Sequence, residues 1–187
     1  MLGYDWPRLH AALNDLPAAL LLMTVLFDVS AKITKRESLR ATALWTLWAG
    51  VIGGWAAVIA GLQAEEVIDH GDAIHDLMER HETLALVTMG VFSVVLAYKL
   101  FRRGNLSRIE ELLSRTASLI GLVTLIWTAR LGGEMFFEHA AGVPTAALEP
   151  EIRDRALGHH HHEGEATDSG GAMHHDEHDH HDGEHEH

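Results

Sequence analysis

The sequence predicts an all-α integral membrane protein, a four-helix bundle followed by a disordered, histidine-rich C-terminal tail. The run Ala41–Ala64 contains 24 residues without a charged side chain, and about 20 apolar residues are enough to span a bilayer. A second uncharged run extends from Thr83 to Tyr98. The composition then changes abruptly after residue 158, where apolar residues become rare.

Two shorter apolar segments complete the set of spans. Leu16–Phe27 and Thr116–Ala129 reach membrane length only when one neighbouring charge is included, Asp28 in the first and Arg130 in the second. A soluble four-helix bundle would have polar outer stripes, and Ala41–Ala64 has no polar face. We therefore predict a transmembrane domain at 1–143 with spans at 15–33, 41–62, 82–101 and 116–137, a linker at 144–158 and the tail at 159–187.

The basic residues predict the orientation of this bundle. Nine of the 14 Lys and Arg residues lie at the connections between spans 1 and 2 and between spans 3 and 4: Lys32, Lys35, Arg36, Arg40, Lys99, Arg102, Arg103, Arg108 and Arg115. The positive-inside rule places these connections in the cytoplasm. The N-terminus, the connection at 63–81 and the tail would then be extracytoplasmic. The N-terminus lacks the pattern of a cleaved signal peptide.

Composition excludes several classes of function. The net charge of −13 comes mostly from the tail, and no basic patch remains to bind the phosphates of a nucleic acid. The chain has no cysteine, which excludes disulfides, cysteine-type zinc sites and thiol catalysis. We find no nucleophile–base arrangement, phosphate loop or dinucleotide motif, so nothing in the sequence indicates an enzyme.

The histidines outside the tail are the main candidates for chemistry. All five are predicted to lie at the extracytoplasmic end: His10, His70, His75, His81 and His139. Carboxylates accompany them: Asp15, Glu79, Glu82, Glu134 and Glu138. Imidazole and carboxylate together suit zinc, iron, nickel or copper(II), and two facing imidazoles would suit a b-type haem. Alternatively, these are interfacial polar residues that collect where helices leave the lipid.

Helical spacing distinguishes between these candidates. His75 shares a stripe with Glu79 and Glu82, which predicts a solvated position, whereas His81 shares a face with Met78 and Thr88 and is predicted to face the bundle. We therefore select His10, His81 and His139 as candidate cofactor ligands. Asp15 is a further candidate metal ligand. It could equally cap the start of span 1 ahead of Pro17.

Two charges lie at membrane depth. Asp28 and Arg130 are costly in lipid and are predicted to face the bundle interior. Arg130 can meet Glu134, and Asp28 can approach Lys32, because each pair is four residues apart on a helix. Such pairs could be structural, or they could belong to a proton or ion path.

Span 2 is rich in small residues. Gly50 and Gly54 form one small-xxx-small pair, and Ala57 and Gly61 form another. This spacing allows helix backbones to approach closely in lipid. It predicts either the central packing helix of the bundle or a dimer interface.

The tail predicts metal binding by its composition. It holds 11 of the 16 histidines, among acidic residues and glycines that cannot form a core. The candidate ligands are His159, His160, His161, His162, His174, His175, His178, His180, His181, His185 and His187. An expression tag is the alternative, although four consecutive histidines followed by a long irregular segment are not typical of one. We predict binding of Zn²⁺, Ni²⁺, Co²⁺ or Cu²⁺ that weakens as the imidazoles protonate near pH 6.5.

The chain resembles the bacterial family of four-span membrane proteins catalogued as domain of unknown function 2231. The resemblance covers about residues 8–143 and rests on these elements: Leu9-His10, Leu16-Pro17, Phe27-Asp28, Ala60-Gly61-Leu62, His81, Arg130-Leu131-Gly132-Gly133-Glu134, His139 and Gly142-Val143. It implies the four-span architecture and a bacterial inner membrane, and it implies no activity. The family pattern has a second histidine where this chain has Asp15, which implies a changed ligand set if that histidine binds haem or metal.

Three functional hypotheses follow. The first is a membrane protein that binds a divalent transition metal through the histidine cluster and the tail. The second is a b-type haem protein with haem held among His10, His81 and His139. The third is an accessory subunit of a larger membrane complex, or a homo-oligomer, in which the polar cluster is only interfacial. The bilayer is a partner in all three.

Overall fold

The computed structural model describes residues 5–68, 72–103 and 105–158. Within these ranges the chain forms five α-helices and no strand: α1 (Trp6–Thr34), α2 (Glu37–Glu65), α3 (Asp72–Phe101), α4 (Arg108–His139) and α5 (Thr145–Ala156). The predicted all-α class is confirmed. The predictions for the tail and for His70 concern residues outside the described ranges.

The four predicted spans are confirmed as helices, and each helix is longer than its apolar segment. Helix α1 begins at Trp6 because the Asp5 side chain accepts a hydrogen bond of 3.1 Å from the Arg8 backbone N–H, with Pro7 in the first turn. The prediction that Asp15 caps this helix is therefore wrong. Pro17 is buried inside α1 rather than at its start. A helix can begin before its apolar segment, at a capping residue, and hydropathy alone does not locate that start.

Helices α1 to α4 pack as two antiparallel hairpins. Helix α1 packs mainly against α2 and α3 mainly against α4, while smaller α2–α3 and α1–α4 contacts close the ring. The core between them is formed by Leu21, Val25, Leu47, Val51, Met89, Phe92, Val95 and Leu96. The buried face of α2 consists largely of small residues: Gly50, Gly54, Ala57, Ala60 and Ala64. The prediction that span 2 is a packing helix is confirmed.

The outer surface of the bundle is apolar. Exposed side chains include Trp45, Ile59, Val94, Val123 and Ile126, each more than half exposed. All four helices are long and apolar enough to cross a membrane. Apolar side chains on the outside of a helix bundle are expected where the solvent is lipid.

The two hairpins repeat each other with an offset of 71 residues. Leu21 packs on Gly50 in the first hairpin, and Phe92 packs on Gly121 in the second, which are the same pair of positions displaced by 71. In both hairpins, the glycine therefore leaves room for a large core side chain from the other helix of the same hairpin.

A charged cluster joins all four helices at the basic end, the end that carries the α1–α2 and α3–α4 connections. Asp28 lies 3.0 Å from Lys99 Nζ and 3.0 Å from Arg115 Nε. Arg115 and Arg40 each lie 3.1 Å from the carboxylate of Glu111. The predicted inward position of Asp28 is confirmed, but its partners come from α3 and α4 rather than from Lys32.

Arg130 does not face the interior as predicted. Its side chain is exposed, and its guanidinium carbon lies 5.7 Å from the centre of the Trp127 ring. It lines a groove of about 580 Å³ between α3 and α4, together with Glu79, Arg80 and Glu134. A long side chain near a helix end can extend along the bundle surface to water, so this arginine needs no buried partner.

Residues 145–158 form a separate unit that contains α5. This segment was predicted to be a linker, and helix α5 was not predicted from the sequence. Its side chains are largely exposed, and Arg155 pairs with Glu151 one turn earlier at 2.8 Å.

Replacing Asp28 by Ala should strongly destabilise the bundle, because the largely buried Lys99 would lose its counter-charge and Arg115 would keep only Glu111. Breaking a buried ion pair costs on the order of 3–5 kcal/mol. The matched control is Glu151→Ala, which removes an exposed pair worth less than about 1 kcal/mol. Thermal unfolding of the detergent-purified variants measures the difference, and equal midpoints for both variants would show that the Asp28 cluster does not hold the helices together.

Candidate functional site

His10 of α1 and His81 of α3 meet at the histidine end, the end of the bundle opposite the charged cluster. Their ring centres lie 6.3 Å apart and their ring planes are nearly perpendicular, at 89°. Both side chains are partly buried. His10 and His81 lie 71 positions apart in the sequence, yet they form one pair of imidazoles.

Each imidazole is fixed by a hydrogen bond to the partner helix of its own hairpin. His10 Nδ1 lies 2.8 Å from the carbonyl oxygen of Ala57 on α2. His81 Nδ1 lies 3.0 Å from the carbonyl oxygen of Thr128 on α4. A carbonyl oxygen can only accept, so Nδ1 carries the proton in both rings. In the neutral ring Nε2 then holds a lone pair, which is the state in which histidine binds a metal.

Two glycines make room for these rings. A Cβ atom on Gly61 would lie 3.0 Å from the His10 ring, and one on Gly132 would lie 3.2 Å from the His81 ring. Each glycine is four residues after the carbonyl that its histidine binds, one helical turn along the same face. The absence of a side chain lets the imidazole reach the backbone of the neighbouring helix.

The histidine pair obeys the same 71-residue repeat as the core. His81 follows His10 by 71 positions, Thr128 follows Ala57 by 71, and Gly132 follows Gly61 by 71. Each histidine precedes its carbonyl by 47 residues. The roles of Gly61 and Gly132 were missed in the sequence analysis, and the equal histidine-to-glycine spacing in the two halves is the signal that could have found them.

The structure does not bring the other predicted ligands to the pair. Asp15 and His139 both have exposed side chains, and so does His75, for which a solvated position was predicted. Across residues 5–68, 72–103 and 105–158, no three His, Cys, Asp or Glu residues converge as a possible metal-holding group. The described part of the bundle therefore brings two imidazoles together as candidate ligands.

The comparisons with known proteins identify a family. A family model described as "Predicted membrane protein (DUF2231)" matches residues 7–145, which is most of the chain and includes both histidines and both glycines. No curated protein and no solved structure matches this chain.

Alanine at Gly61 or Gly132 should displace a histidine ring, whereas alanine at the adjacent Gly133 should be tolerated. A Cβ on Gly133 meets no atom within 4 Å, so Gly133→Ala should raise stability by up to about 1 kcal/mol through helix propensity. Gly61→Ala and Gly132→Ala should lower it by about 1–3 kcal/mol through overpacking. Thermal unfolding in detergent gives the sign of each change. A rise for Gly61→Ala equal to that for Gly133→Ala would contradict the close approach of the ring.

Proposed function

The chain belongs to the family of predicted membrane proteins DUF2231, and from this premise we propose that it binds a transition metal at the histidine end of its bundle. The observation that carries the proposal is the pair formed by His10 and His81, each with Nδ1 bonded to a backbone carbonyl. In metal sites the ligating histidine donates its other ring N–H to a carbonyl or carboxylate, which orients the ring and raises its basicity.

The proposed ion is divalent zinc, nickel, cobalt or copper. Neutral imidazole is a good ligand for all four, and the paired rings supply two nitrogen ligands. Water molecules would complete the coordination sphere. The two-ligand set implies weaker binding than a structural zinc site, which uses four protein ligands. Such an affinity suits a site that accepts and releases an ion.

In the proposed function, the histidine-rich tail captures metal ions. Its 11 histidines and nine acidic residues form many weak sites that raise the local concentration of the ion near the bundle. The positive-inside rule supports a bacterial cytoplasmic membrane with the histidine end and the tail outside the cytoplasm.

The second candidate is a b-type haem protein, because the structure brings two imidazoles together inside the bundle, each bonded at Nδ1 to a carbonyl, with ring centres 6.3 Å apart. The haem would supply one-electron redox chemistry, and His10 and His81 would hold it.

Metal analysis and a visible spectrum of the detergent-purified full chain test both candidates. The wild type should hold metal or show a Soret band, and His10→Ala and His81→Ala should each lose most of this signal from the bundle. His139→Ala is the matched control, because its exposed imidazole is not part of the pair. A chain ending at Leu157 should lose the metal bound by the tail and keep the site in the bundle.

Each outcome selects one hypothesis. A Soret band lost in His10→Ala and His81→Ala selects haem, whereas zinc, nickel, cobalt or copper without colour or with a weak d–d band selects the ion. Equal metal content and no Soret band in the chain ending at Leu157 and its His10→Ala/His81→Ala variant would contradict both. That result would leave the accessory-subunit hypothesis, with the histidines serving only to join helices.

A further inference from the structure

The buried face of α4 is polar, although the helix crosses the membrane. Its buried residues are Ser114, Ser118, Gly121, Thr128 and Leu131, so only the last is a large apolar side chain. The exposed residues in the middle of the helix are mainly apolar and include Ile120, Val123 and Ile126. A transmembrane helix with hydroxyls inside and aliphatic side chains outside places a polar seam within the bundle.

This seam begins at a cavity of about 360 Å³ at the basic end. The cavity is lined by the charged cluster of Asp28, Lys99, Arg115, Glu111 and Arg40, and by Ser114. Asp28 and Ser114 are each 7% exposed. Asp28 Oδ2 and Arg115 Nε form an ion pair at 3.0 Å without the alignment of a hydrogen bond, and Ser114 Oγ has no hydrogen-bond partner among the described residues. A polar cavity of this size that contains such unsatisfied groups binds water.

Beyond the cavity, hydroxyl groups continue along α4 for about 21 Å, the rise of the 14 residues from Ser114 to Thr128. Ser118 donates to the Ser114 carbonyl at 3.0 Å, and Thr128 donates to the Thr124 carbonyl at 2.9 Å. Thr88 of α3 donates to the Thr124 hydroxyl at 2.8 Å. Each hydroxyl can both donate and accept a hydrogen bond. Because Ser118 and Thr128 donate to carbonyls of their own helix, water between these side chains would link them into a proton-conducting chain.

Phe92 interrupts this row of hydroxyls. Its side chain is fully buried and packs on Gly121, between the levels of Ser118 and Thr124, where a Cβ would lie 2.9 Å from the ring. The Phe92 ring, with Val91 beside it at Gly121, places large apolar groups between the two hydroxyl segments. It closes the seam near the middle of the membrane.

We propose that the bundle contains a proton path that enters at the charged cavity, follows the hydroxyls of α4 and is closed at Phe92. A proton can move through hydrogen bonds without an open pore, whereas a hydrated metal cation needs a wider passage. Lys99 and Arg115 also offset the charge of Asp28, so the cavity has no excess negative charge to attract a cation. The path ends at Thr128, whose carbonyl accepts a hydrogen bond from His81, and it requires no metal at the histidine pair.

Single cysteines test the entry of water. Because the chain has no cysteine, Ser114→Cys and Ser118→Cys can be labelled selectively in membrane vesicles with a membrane-impermeant methanethiosulfonate. Both should react at least ten-fold faster than Thr24→Cys, a control hydroxyl that is 1% exposed and bonds to Thr46 on α2, off the seam. Labelling should occur from the basic end only. Rates equal to that of Thr24→Cys would overturn the proposed entry.

Proton flux tests the closure. The full chain is reconstituted in liposomes containing a trapped pH-sensitive dye, and a potassium diffusion potential drives protons. Phe92→Ala should raise the flux at least ten-fold over the wild type. Leu21→Ala is the matched control for the lost side-chain volume, because Leu21 holds the equivalent position against Gly50 of α2 rather than against Gly121 of α4.

Adding Ser118→Val to Phe92→Ala should return the flux to the level of the wild type, because it removes a hydroxyl from the path. Flux through Phe92→Ala no greater than through Leu21→Ala, or unchanged by Ser118→Val, would overturn the proton path. If Phe92→Ala does not fold, Phe92→Leu and the cysteine labelling decide the question by the same criteria.

Discussion

The bundle depends on one constraint: a polar group inside the bilayer must find its partner inside the protein. At the basic end, Asp28 meets this constraint with Lys99 and Arg115, which come from two other helices. At the opposite end, His10 and His81 meet it with backbone carbonyls of the neighbouring helix. These contacts define which helices lie side by side, because exchanging any two helices would leave a buried polar group without a partner.

The two hairpins follow a 71-residue repeat, but equivalent positions carry identical residues at one end of the bundle and opposite charges at the other. At the histidine end, both hairpins have a histidine and a glycine at equivalent positions, so the pair consists of two equivalent imidazoles. At the basic end Asp28 and Lys99 occupy equivalent positions with opposite charges and pair across the bundle at 3.0 Å. Identical residues at equivalent positions suit a shared ligand, whereas opposite charges at equivalent positions neutralise each other. The two ends therefore have different chemistry within one architecture.

The sequence predicted the spans well and the helix ends poorly. Length without charge locates the apolar part of a helix, but Asp5 with Pro7 and Ser107 with Glu110 determine where α1 and α4 begin. His81 was correctly predicted to face the bundle because its face carries Met78 and Thr88. The exposed positions of Asp15 and His139 were not predicted, since membership of the same end of a bundle does not specify which way a side chain points.

By itself, the sequence determined that the chain crosses a membrane four times, that its basic residues gather at one end and that its described histidines lie at the other. Uncharged length and helical period are local properties, and they suffice for these statements. The tertiary structure alone decided which histidines form a pair, which carbonyls bind them and which charges neutralise Asp28. Those contacts join residues 47, 71 or 87 positions apart, and packing between helices, rather than any local pattern, selects them.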